Sequence, residues 1–335
     1  MSTGTATPSF PALLQDFFCQ RLVAQRNASA RTVASYRDAF RLLLRFAASR
    51  TRRSPDCLTM SDLDAPLVAA FLDHLEATRG NAVRTRNARL AAIRSFLRYA
   101  SFRDPTSLQT IHQVLAIPMK RYDRPLLGFL TRAETEAIVA APDARTWSGL
   151  RDHVMLATLY NTGARVSEVA ALLIGDATLG REASLRIRGK GRKERLVPLW
   201  KSTAAELRGW IAHAGGGTDA PLFPNRHRAP MTRAGIESRL HAAVGIATKR
   251  CPSLAGRRIS PHTLRHTTAM HLLQSGVDLS VIALWLGHES PSTTHLYVEA
   301  DLAMKERALA KLAGPPGTRH RFHATEGLLR FLDGL

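Results

Sequence analysis

Apolar residues recur at helical spacing through the first hundred positions. Residues 10–26 carry Phe10, Leu13, Leu14, Phe17 and Leu22. Residues 29–49 open on Ser29, a suitable N-cap, and carry Val33, Tyr36, Phe40, Leu43, Leu44 and Phe46. Residues 64–78 carry Leu67, Phe71, Leu72 and Leu75, and residues 82–100 carry Leu90, Ile93, Phe96 and Leu97. One apolar stripe on each segment predicts four amphipathic helices in a small bundle. The pattern breaks at 117–125 (IPMKRYDRP), where Pro118 and Pro125 bracket three basic residues and no helical period remains. A new helix is expected from Thr131, with Glu134 at the spacing of a capping box.

Beyond the break the pattern is mixed. Segments 151–160 and 166–173 read as helices separated by Asn161-Thr162-Gly163. Leu185 and Ile187 alternate with polar residues over 184–188, and a second extended run covers 195–199. Between them, Gly189-Lys190-Gly191-Arg192 is a turn signal, so the pair predicts a β-hairpin with a lysine near its tip. Segments 202–213, 231–248, 261–275, 278–286 and 301–312 read as helices. The expected fold is mainly α with a small β-hairpin or sheet. It comprises a helical domain at 1–120, an α+β domain at 121–314 with the linker about 117–127, and a tail at 315–335.

Charge narrows the partner. The 335 residues hold 47 Lys plus Arg, 40 of them Arg, against 27 Asp plus Glu, for a formal net charge of +20. The region before residue 126 and the region after it each carry a net +10, so the charge is not a basic tail. Such a balance calls for a polyanion, nucleic acid or an anionic membrane. No apolar run approaches the ~18 residues of a membrane span. The opening MSTGTATPSF lacks a basic segment followed by an apolar one, so secretion is not expected. Cys19, Cys57 and Cys251 are scattered without metal-ligand or disulfide spacing, which fits a reducing cytoplasm. The second and fourth helices are rich in arginine, with Asp38 the one acid on the second and none on the fourth. Arg37 and Arg41 on one, and Arg84, Arg86, Arg89 and Arg94 on the other, are the expected DNA contacts.

Four segments carry candidate chemistry: 160–172 (YNTGARVSEVAAL), 189–199 (GKGRKERLVPL), 260–266 (SPHTLRH) and 286–297 (LGHESPSTTHLY). Each is weak alone. In this order and spacing they resemble the tyrosine recombinase (phage integrase) family, in which an arginine, a hairpin lysine, an HxxR, a second histidine and a nucleophilic tyrosine follow one another. The resemblance covers about 150–300, and the first region resembles the family's SAM-like core-binding domain.

The residues support it on their own physics. Arg165 follows a turn that feeds a helix, so its fork of N–H donors suits a phosphate there. The bland alternative is an ion pair with Glu168 at i+3, and both readings can hold together. Arg265 shares a helical face with His262, three residues earlier. Two arginines on the non-bridging oxygens would neutralise a developing phosphorane without a metal. The resemblance implies that Lys190 protonates the leaving 5′-oxygen, that His262 assists proton removal, that His288 hydrogen-bonds the phosphate and that Tyr297 is the nucleophile. His266 is expected to face the core as a supporting residue. A metal reading of His262, His266, His288 and His295 lacks a glutamate and places Arg265 beside the site, so no cofactor is expected. Expected partners are double-stranded DNA and a homo-tetramer on two DNA sites, with sibling recombinases as further candidates, near the nucleoid in the cytoplasm and with no membrane. The apolar end of the tail (Leu328, Leu329, Phe331, Leu332) docks either in trans or in cis. A type IB topoisomerase and a lapsed DNA-binding module are the competing readings.

Overall fold

The computed structural model describes residues 8–123, 128–189 and 193–287. The chain divides into two compact units, Met1–Arg124 and Pro125–Leu335.

The first unit is helical. It contains α1 (Phe10–Asp16), α2 (Ala30–Thr51), α3 (Ala65–Ala77), α4 (Val83–Ala100) and α5 (Leu108–Ala116). Ser29 caps α2 by accepting from the Thr32 amide, and Asp64 caps α3 by accepting from the Leu67 amide at 2.8 Å. The apolar stripes meet in one core around Phe17, Phe40, Phe71 and Phe96, all almost completely buried. Phe96 touches Phe10, Phe17 and Phe40 edge-on, with ring centroids 5.8, 5.5 and 5.3 Å apart.

Two features depart from the sequence reading. The first predicted helix does not stay α. From Phe17 to Gln25 it continues as a π-helix, with the Arg26 amide bonded to the Arg21 carbonyl five residues back. The wider turn brings residues five apart toward one face, and Phe17 and Leu22, five apart, are both buried. The second is α5, which lies just before the Pro118 break and supplies buried Ile111 and Val114.

The second unit contains α6 (Arg132–Val139), α7 (Trp147–Thr162), α8 (Val166–Ala170), β1 (Ala177–Thr178), β2 (Ser184–Arg188), β3 (Glu194–Pro198), α9 (Lys201–Ala214), α10 (Arg233–Ala247), α11 (Pro261–Gln274) and α12 (Leu279–Leu286). The three strands form an antiparallel sheet in the order β1-β2-β3, with Leu185 opposite Val197 and Ile187 opposite Arg195. Strand β1, too short for a periodic signal, joins the expected hairpin at its edge. Thr131 and Glu134 form the expected capping box on α6. Helices α7 and α11 pack together and are buried along most of their length, so neither shows a polar face. Gly163 ends α7 at φ +58°, where a Cβ would lie 2.5 Å from Leu286 Cδ2. Both the left-handed backbone and the close approach of α12 require glycine there.

The aromatic junction of the first unit gives a stability test. Phe96→Ala is expected to cost about 3–5 kcal/mol through lost burial and the cavity left behind. Urea unfolding monitored on the helical signal checks it.

Candidate active site

Two of the predicted site residues, Arg165 and Arg265, meet at the carboxy-terminal end of α12. Arg165 is the N-cap residue of α8, and its amide is held at 2.8 Å by Glu168 Oε2. Its Nη1 donates to Glu168 Oε1 at 2.8 Å and its Nη2 to the Gly287 carbonyl at 3.3 Å. About a third of the Arg165 side chain stays exposed (32%). The i+3 ion pair and an accessible guanidinium therefore coexist.

Arg265, buried on α11, donates from Nη1 to the Gly163 carbonyl at 2.7 Å and from Nη2 to the Leu286 carbonyl at 2.8 Å. Those carbonyls belong to the ends of α7 and α12. Helix carboxy-terminal ends carry unsatisfied carbonyls and a partial negative charge, so a buried cation is well placed between them. Next along the chain, the Trp285 carbonyl accepts from Arg195 Nε at 2.9 Å. Arginines from α8, β3 and α11 thus hold three consecutive carbonyls, those of residues 285 to 287. Gly287 turns the chain at φ +66°, and a Cβ at this position would lie only 2.9 Å from Arg195 Nη1. A side chain there would meet both backbone strain and the guanidinium.

Glu168 is buried and accepts from Arg165 and from both terminal nitrogens of Arg195, at 3.3 and 2.8 Å. Burial pushes its carboxyl upward, but the hydrogen bonds and charges of Arg195 and Arg165 prevail and hold it below the ordinary carboxylate range. It is a permanent anion that fixes two cations. The sequence places Glu168 beside Arg165 but does not single out Arg195. The available signal is its register: Arg195 stands two residues before buried Val197, on the inward face of β3.

His262 and His266 separate sharply. His262, in the first turn of α11, is exposed. The protein mass around its ring, then the charges of Arg265, Arg165 and Arg233, lower its pKa below 6.5, while Glu237 opposes them. At neutral pH it is an uncharged imidazole able to accept a proton. His266 is buried, with its ring edge-on to Phe129 at 6.3 Å, as expected of a core residue. Lys190, His288 and Tyr297 lie outside the described residues, as do the segment 301–312 and the tail at 315–335. Gly287, anchored as above, directly precedes His288 in the chain.

A histidine unnoticed in the sequence completes the interior. His271 Nε2 faces the Leu130 carbonyl at 3.0 Å, and its Nδ1 faces the Tyr160 hydroxyl at 2.7 Å. A carbonyl only accepts, so the proton sits on Nε2 and the Tyr160 O–H donates to Nδ1. Burial lowers the His271 pKa and raises that of Tyr160, so the pair is neutral and Tyr160 keeps its proton.

The expected DNA-facing arginines also divide. Arg37, Arg41 and Arg84 are exposed, and Arg89 is half-buried. Arg86 and Arg94 are corrections, because they turn inward. Arg86 is buried, donates to the Pro118 carbonyl at 3.2 Å and lies 3.9 Å from Glu76. Arg94 Nη2 donates to the Leu115 and Ile117 carbonyls at 2.6 and 2.7 Å. Both fix the end of α5, whose last carbonyls have no helical partner.

The electrostatics of His262 are directly testable. Proton NMR titration of its ring is expected to give a pKa below 6.5. Arg233→Gln removes a positive neighbour and should raise it, whereas Glu237→Gln should lower it further. A shift in the opposite direction for either variant contradicts the assigned environment.

Comparison with known proteins identifies the family. Residues 128–304 match the model of the phage integrase family, and residues 16–103 match that of the phage integrase N-terminal SAM-like domain. The y4rC protein of Sinorhizobium fredii is 50% identical over 99% of this chain and 100% of its own length. The tyrosine recombinase XerC of Pelobacter propionicus is 36% identical over 85% of this chain and 90% of its own. Among solved structures, the XerH site-specific recombinase bound to a palindromic difH substrate superimposes with a TM-score of 0.66 at 22% identity, covering 85% of this chain and 81% of that one. With the family match spanning more than half the sequence and relatives aligned along nearly all of it, the chain belongs to the phage integrase family, the tyrosine recombinases.

Proposed function

We propose that this protein cuts and rejoins DNA at specific sites through a 3′-phosphotyrosine formed on Tyr297. As a family member it is a DNA strand transferase. The observation that carries the detailed reading is the meeting of Arg165 and Arg265 at the end of α12, where Gly287 directly precedes His288 in the chain.

In this reading Arg165 and Arg265 hold the scissile phosphate and neutralise charge as the phosphorane forms. The Tyr297 hydroxyl, with an ordinary pKa of about 10, loses its proton with help from the neutral His262. Its oxygen bonds to phosphorus while the bond from phosphorus to O5′ breaks. Lys190 supplies a proton to that oxygen, which otherwise leaves as a poorly stabilised alkoxide. His288 hydrogen-bonds the phosphate. The ester retains the energy of the broken bond, so a 5′-hydroxyl from another strand reverses the step without ATP. Arginine, lysine and histidine donors serve each task, and the chemistry calls on no metal.

Tyr160 is a poor rival for the nucleophile, because burial keeps its hydroxyl protonated and that hydroxyl already donates to His271. The recombinase relatives favour this reading over a topoisomerase or a lapsed binding module.

Double-stranded DNA is the partner, gripped by both basic regions. In the first domain the contacts come from Arg37, Arg41, Arg84 and Arg89. Each chain brings one nucleophile, and exchange between two duplexes opens four strands, so a homo-tetramer on two sites is the working assembly. Among the described residues no helix is long and apolar enough to cross a membrane. The proposed workplace is the cytoplasmic nucleoid.

A nicked suicide duplex carrying a cleavage site tests the chemistry. Tyr297→Phe should abolish the covalent adduct and leave noncovalent binding nearly intact; adducts in that variant would remove Tyr297 as nucleophile. Arg165→Ala should slow cleavage by about 10²–10³-fold. The DNA face is tested separately by salt. Arg41→Ala should reduce the slope of log affinity against log salt by roughly one. Arg94→Ala should leave that slope unchanged and lower the stability of the first domain instead.

A further inference from the structure

Arg195 takes no part in that chemistry, yet it makes three hydrogen bonds beside the candidate site. Its guanidinium occupies an inward position of β3 and is only 11% exposed. Its hydrogen bonds run to the machinery: Nε to the Trp285 carbonyl at 2.9 Å, and Nη1 and Nη2 to the two oxygens of Glu168 at 3.3 and 2.8 Å. Glu168 in turn holds both the amide and the guanidinium of Arg165. Gly189, which follows β2, lies beside this pair: a Cβ there would meet Glu168 Oε1 at 3.4 Å and Arg195 Nη1 at 3.6 Å, in ordinary van der Waals contact.

We propose that Arg195 is a positioning residue for strand cleavage, acting on the scissile phosphate through Glu168 and Arg165 and through the anchored end of α12. The proposal rests on the reading of Arg165 and Arg265 as phosphate ligands.

Arg195 and Arg165 share one carboxylate. Glu168 is 4% exposed at its side chain, and two guanidiniums offset the cost of burying its charge. Without Arg195, Arg165 is the one guanidinium among the described residues still bonded to that carboxylate. It is then drawn inward, away from the 32% of its surface that faces a ligand. The same loss removes one of three anchors on the carbonyls of residues 285 to 287. Lysine cannot replace it, because one ammonium cannot span both carboxylate oxygens and the Trp285 carbonyl in the geometry of a planar fork. Arg195 is too enclosed to contribute to DNA affinity, so its effect should fall on the rate.

The test uses the full chain and two nicked suicide duplexes. One carries the ordinary scissile phosphate. In the other a methylphosphonate replaces it, so the group is uncharged and needs less neutralisation by arginine. On the phosphate, Arg195→Gln should slow single-turnover adduct formation on the order of 10²-fold with unchanged noncovalent affinity. On the methylphosphonate the loss should shrink to less than about tenfold, as it should for Arg165→Gln. Arg195→Lys should fall between wild type and Arg195→Gln, and it carries the same comparison if the glutamine variant does not fold. Equal losses on both substrates, or a rate loss matched by lost affinity, would overturn the positioning role. Failure of the methylphosphonate to relieve Arg165→Gln would instead overturn the phosphate-ligand reading beneath it.

Discussion

The second domain depends on one buried cation. Arg265 bridges the last carbonyls of α7 and α12, at Gly163 and Leu286. Two helices that end side by side bring two sets of unpaired carbonyls together in a poorly hydrated place. Each left unsatisfied would cost about 1–3 kcal/mol. A guanidinium satisfies both at once, and its charge matches the negative ends of the two helices. It also fixes where α12 stops, and hence where the chain enters the segment carrying His288 and Tyr297. The group proposed to hold phosphate is therefore also the group that assembles the surface around it.

That economy extends to its neighbours. Arg165 reaches the Gly287 carbonyl and Arg195 the Trp285 carbonyl, so arginines from three elements close one helix end. Their mutual repulsion is countered by Glu168, whose carboxylate touches two of them and stays ionised because of them. The pairing keeps a cluster of like charges compact before any polyanion arrives. The protein mass around its ring, and then the charges of Arg265, Arg165 and Arg233, lower the His262 pKa. The ring of His262 is therefore uncharged at neutral pH, as the role proposed for it requires.

Much of the fold is legible from periodicity. The helices α2, α3, α4, α9, α11 and α12 follow stripes or capping residues readable in the chain, and the hairpin follows its alternation around the Gly189-Lys190 turn. The π-helical stretch after α1 is not, because a five-residue spacing of Phe17 and Leu22 blurs into an ordinary helical stripe. Strand β1 has only two residues and no period of its own. In the site, the order of the motifs along the chain is enough to mark Arg165, His262 and Arg265. Arg195 and His271 carry no such mark, for their roles depend on carbonyls and hydroxyls distant in sequence.

The sequence by itself determined most of the helices and the hairpin, the basic balance of both regions and the order of the reactive residues, since these depend on local spacing and composition. Tertiary structure decided which arginines face outward. Arg86 and Arg94 sit on the same helix as Arg84, but at about 100° per residue Arg86 falls on the apolar stripe and Arg94 at its edge, and both bond to carbonyls 21 to 32 residues away. An arginine side chain is long enough to reach inward or outward from the edge of an apolar stripe. What settles its direction is whether an unpaired carbonyl or a buried carboxylate waits within reach, and only the folded chain brings those acceptors there.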